Sequence, residues 1–106
     1  MNIPESIRIG DQVFQVKLVT ECNSDGRVLA GNIDFVTGVL KLRSDMFGDY
    51  LDCVFLHEVM HGMFEFMGYE QDETMVDRLA KALHMVIKDN PSIFEKESGG
   101  SNENKN

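Results

Sequence analysis

Apolar and polar residues alternate with a period of two through Ile7–Val19 (IRIGDQVFQVKLV), with Gly10-Asp11 as a turn signal near the start. This spacing predicts β structure. Glu21–Arg27 (ECNSDGR) reads as a loop, being rich in Asn, Ser, Asp and Gly. Val28–Arg43 predicts two short strands about Thr37-Gly38, a hairpin with Ile33, Phe35, Val39, Leu40 and Leu42 as its apolar residues. From Ser44 the period becomes helical. Ser44 is the expected N-cap, Asp45 suits the first turn, and Gly68 suits the position just past the last turn, after Met67. Leu51, Val54, Phe55, Leu56, Val59, Met60, Met63 and Phe66 cover most sides of this helix, which predicts a helix in the middle of the domain. A second helix is expected from the cap Asp72 to the stop signal Asn90-Pro91, with Met75, Val76, Leu79, Leu83, Val86 and Ile87 as its apolar stripe. The predicted class is α+β: a small three- to four-stranded antiparallel sheet followed by an αα-hairpin. Residues 1–94 form the expected single domain, and 95–106 (EKESGGSNENKN) a disordered polar tail.

Length and composition narrow the possibilities. A chain of 106 residues with 42% hydrophobic residues has material for one core, not two. No apolar run approaches the roughly 18 residues of a membrane helix. The opening MNIPESIRIG has no apolar signal region, so a cytoplasmic protein is expected. Eighteen acidic against ten basic residues give a net charge of −8. That surface repels phosphate backbones and anionic membranes, so neither nucleic acid nor membrane is an expected partner. Cys22 and Cys53 form no CxxC pair and are read as reduced thiols.

The chemistry concentrates in the central helix. His57-Glu58-Val59-Met60-His61 is an HExxH pattern, and the i, i+4 spacing puts both imidazoles on one face, one turn apart. Two neutral rings so placed can bind one tetrahedral Zn²⁺ at about 2.0–2.1 Å. Glu58 lies about 100° around the helix from His57, flanking such an ion where a general base for activated water belongs. A catalytic zinc also needs a third protein ligand and an open position. The second helix offers Glu73, which can reach the ion if the short link 68–71 folds the hairpin back tightly; otherwise Glu73 is an acid favoured by the helix dipole. Asp77, four residues on, is either an acceptor for the far nitrogen of His57 or His61, or a solvated flank. Cys53, one turn before His57, reads as a small buried hydrophobe rather than a fourth ligand.

HEVMH followed by Glu73-Thr74-Met75-Val76-Asp77 resembles the gluzincin pattern, HExxH with a downstream ExxxD helix. The chain also resembles the very small minigluzincins and related phage-encoded HExxH proteins. In those a small sheet precedes the motif helix, and a leucine-rich second helix ends as LAKALHMVIKDNP does here. The resemblance spans about Ile7 to Pro91. It implies zinc held by His57, His61 and Glu73, with Glu58 as catalytic base. Larger gluzincins add a domain carrying a His or Tyr for the oxyanion. Tyr50 and Tyr69 are the available tyrosines here, and His84 reads as a surface or packing residue.

The expected activity is therefore zinc-dependent peptide hydrolysis on a protein or peptide bound in extended form. One strand of the 31–43 hairpin, with Val39–Leu42 adjoining the motif helix, is expected to pair with it. Latency through Glu95 or Glu97 folding onto the metal is a variant of this reading. The alternatives are a non-catalytic zinc-binding regulatory or interaction module of phage or mobile-element origin, and an interaction protein with an accidental motif.

Overall fold

The computed structural model describes residues 1–24 and 26–95; the expected tail, Glu97 included, lies outside them apart from Glu95. Strands β1 (Ser6–Ile9) and β2 (Gln12–Val19) form an antiparallel hairpin whose turn needs Gly10 at φ 64°. Short strands β3 (Asn23–Ser24) and β4 (Arg27–Val28) pair within the segment expected to be loop. Strands β5 (Gly31–Asp34) and β6 (Val39–Arg43) make the hairpin expected about Thr37-Gly38. Helices α1 (Gly48–Met67) and α2 (Glu73–Asp89) follow, and a 3₁₀ turn at Pro91–Phe94 ends the described chain.

The main sheet has the order β1-β2-β6-β5 and is mixed, which corrects the expected antiparallel sheet. β2 and β6 run parallel, with Gln15 opposite Val39 and Val19 opposite Arg43. Alternation along a strand reports which face is buried, not the direction of the neighbour. Residues 20–38 supply the long crossover that a parallel pair requires. Of the 31–43 hairpin, β5 is an edge strand of this sheet, as β1 is at the other side, while β6, with Val39–Leu42, lies inside it.

Leu40 and Leu42 are fully buried on one face of β6, with Lys41 exposed between them. They meet Phe14, Ile33 and the α1 residues Phe55, Leu56 and Val59. Burying each such leucine contributes about 1.5–3 kcal/mol. α1 is thus the middle layer, with the sheet on one side and α2 on the other, where Met60 and Phe64 pack on Val76. It is less enclosed than its composition predicts, because Tyr50, Phe66 and Met67 are exposed.

α1 begins later than expected. The Ser44 N–H donates to Val19 O at 2.8 Å, prolonging the β2–β6 ladder, and Asp45 accepts from the Arg43 guanidinium at 2.9 Å. Phe47 is the actual cap, without a side-chain acceptor. The other boundaries match the sequence. Gly68 ends α1 at φ 79°, and Asp72 caps α2 by accepting from Met75 N at 3.0 Å. Among the described residues no helix is long and apolar enough to cross a membrane.

Candidate metal centre

The link from Gly68 to Asp72 folds α2 back along α1, which brings the first residue of α2 over the HExxH face. The left-handed Gly68 lets Tyr69 N donate to Phe64 O at 3.0 Å, reversing the chain within one turn. Glu73 then faces both imidazoles. Its Oε1 lies 2.6 Å from His57 Nε2, and its Oε2 lies 3.2 Å from His61 Nε2. The donor atoms of His57, His61 and Glu73 all fall within 4.8 Å of one another. Glu73 is exposed apart from this contact, so dipole placement alone does not account for where its carboxylate points.

The far nitrogens of the two rings are held by different groups. His57 Nδ1 lies 3.3 Å from Asp77 Oδ1, the carboxylate the sequence singled out. Asp77 also accepts from Lys81 Nζ at 2.9 Å, and Lys81 first, His57 second, hold its carboxyl below the ordinary range. Sequence reasoning missed the residue behind His61. Gln71 Nε2 donates to the His61 carbonyl at 2.9 Å, which turns the amide oxygen toward the ring. That oxygen accepts from His61 Nδ1 at 2.7 Å. An acceptor there requires Nδ1–H, so Nε2 is left as the lone-pair nitrogen facing Glu73. The ring orientation is thus set by a backbone carbonyl acting through one amide. Gln71→Leu is expected to weaken zinc binding about 10–100-fold while keeping the fold, as measured by competition against a chelating dye.

Glu58 is on the neighbouring face of α1 and is 8% exposed. Burial pushes its carboxyl above the ordinary range; the nearby imidazoles and a hydrogen bond from the Ile33 backbone counter only part of that. Such a carboxyl is suited to take and return a proton. The edge strand reaches it because residue 31 is glycine: a Cβ there would stand 2.9 Å from Val54 Cγ1 and 3.2 Å from Glu58 Cγ.

A cleft of about 650 Å³ joins these parts, lined by Gly31, Asn32 and Ile33 of β5 and by His57, Glu58 and Glu73. Tyr50 and Cys53 also border it, whereas Tyr69 stacks edge-on against Phe64 with ring centroids 5.9 Å apart. Cys53 is outside the converging donors. Glu95 borders a different cavity, so it does not fill the cleft. His84, expected at the surface or in packing, is buried beneath the start of α1.

The residues fit a zinc ion by the chemistry of their donor set. Two imidazole nitrogens and one carboxylate converge, each ring is oriented from behind, and a buried carboxylate stands beside them without joining them. Comparison with known proteins found no matching family model, no matching curated protein and no matching solved structure.

Proposed function

We propose that the chain is a zinc-dependent metallopeptidase of the HExxH gluzincin type. The observation that carries this is the convergence of His57, His61 and Glu73 donors within 4.8 Å while both far ring nitrogens face acceptors. Zinc held there supplies Lewis acidity toward a scissile carbonyl and lowers the pKa of water toward about 7. Glu58 accepts the proton of the attacking water on its carboxylate and returns it to the leaving amine. Its burial keeps bulk water from competing for that proton.

The substrate is a peptide in extended form. β5 is an edge strand along the cleft, and its main-chain groups other than the one Ile33 gives to Glu58 can bind an added strand with little regard to its sequence. Of the two tyrosines, Tyr50 borders the cleft and is the one suited to donate to an oxyanion.

Metal analysis and a mixed peptide library test this together. The purified protein is expected to hold one more Zn²⁺ per chain than the His57→Ala/His61→Ala variant, and to cleave the library until a chelator is added. Zinc binding with an intact library makes the domain a non-catalytic module. Failure of the double variant to lose any zinc removes the metal centre itself.

A further inference from the structure

A second group of metal-ligating side chains lies at the other end of the hairpin, where the start of α1 meets the later turns of α2. Asp49 and Asp52 are three residues apart and share a face of α1. His84 of α2 faces them. Its Nε2 is 3.7 Å from Asp49 Oδ1 and 3.9 Å from Asp52 Oδ2, outside hydrogen-bond reach of both. His84 is only 9% exposed, and its ring meets both carboxylates at ion-pair distance only. A buried imidazole held short of hydrogen-bond contact is incompletely satisfied, and this one is aimed between two carboxylates.

We propose that Asp49, Asp52 and His84 form a second cation site that takes a divalent transition-metal ion. Their donor atoms fall within 4.8 Å of one another. Ligands at about 2.0–2.2 Å from one ion stand roughly 3–4 Å apart, which is the separation of His84 from each carboxylate. One imidazole with two carboxylates suits zinc or manganese better than calcium, which takes oxygen ligands alone. The site opens on a cavity of about 720 Å³, also lined by Asn2, Ile87 and Phe94, which leaves room for water as the remaining ligand. Two ammonium groups compete with the ion. Lys88 pairs with Asp49 through Oδ2, and the Met1 amino group lies 3.4 Å from Asp52 Oδ2. Asp49 Oδ1 is left toward His84, and Lys88 is exposed enough to swing away.

Zinc titration of metal-free protein separates this site from the cleft. The His57→Ala/His61→Ala variant is expected to take up one Zn²⁺ per chain still. Adding His84→Ala, or the fold-sparing exposed change Asp49→Asn, is expected to reduce that to none, and Lys88→Met to tighten it. The proposal is overturned if the double variant takes up no Zn²⁺, or if its uptake is indifferent to both His84→Ala and Asp49→Asn. Either result leaves the cleft reading untouched, because the cleft histidines are absent from the protein being titrated.

Discussion

Glu58→Gln is expected to lower peptide turnover by at least the 10²–10⁴-fold that a positioned general base contributes, with zinc content unchanged. The amide keeps the volume of the carboxyl and its place beside Ile33, and Glu58 is not among the converging ligands. The same change is expected to stabilise the metal-free protein. Burial raises the folded pKa of Glu58, so the fold favours its protonated form. Stability from that preference is complete below the ordinary glutamate pKa and is lost as pH rises through the raised folded value. As pH rises through that value the wild type loses this stability, whereas the glutamine variant has no proton to lose. Thermal melts in chelator should place the variant above the wild type at about pH 7, with the gap closing toward about pH 4. Lost turnover with gained stability is what a site strained for function predicts. A variant that cleaves normally removes Glu58 from the mechanism. A variant that melts lower at about pH 7 removes the argument from burial.

The two histidines and Glu58 are legible because an α-helix converts sequence spacing directly into a shared face. Glu73 and Asp77 are legible one step less directly. Their own spacing is helical, but their approach to His57 depends on the reversal at Gly68, which spacing only permits. Gln71 has no such rule behind it. It sits in the link between helices, and its role comes from the His61 carbonyl that orients its amide. The same limit explains the sheet. The alternation of Leu40, Lys41 and Leu42 gives the buried face of β6, yet nothing in it says that β2 lies alongside in parallel or that β5 takes the edge. Ser44 has the chemistry of a cap, but its N–H is already committed to Val19. His84 lies on the same side of its helix as Glu73 and Asp77, and only the packing of the start of α1 over it accounts for its burial.

Removing Glu73 separates the metal centre from the fold. Glu73→Ala deletes an exposed side chain from the first residue of α2 and leaves the Asp72 cap in place. Alanine is the strongest helix former, so metal-free stability should change by no more than about 0.5 kcal/mol. Zinc affinity should fall by more than the about 10–100-fold that losing an outer hydrogen-bond partner costs, because a direct ligand is lost. Melting temperature reads the difference. Zinc at about 100 times its dissociation constant stabilises the folded wild type by about 2.7 kcal/mol, and each kcal/mol moves a domain of this size by about 4–8 °C. The wild type should therefore gain at least about 10 °C on adding zinc. The variant should lose most of that gain while starting from the same metal-free temperature. The Asp49–Asp52–His84 group is unchanged between the two proteins, so any zinc held there cancels in the comparison. An undiminished gain in the variant excludes Glu73 as a ligand, and the contacts with His57 and His61 are then an ion pair between two helices.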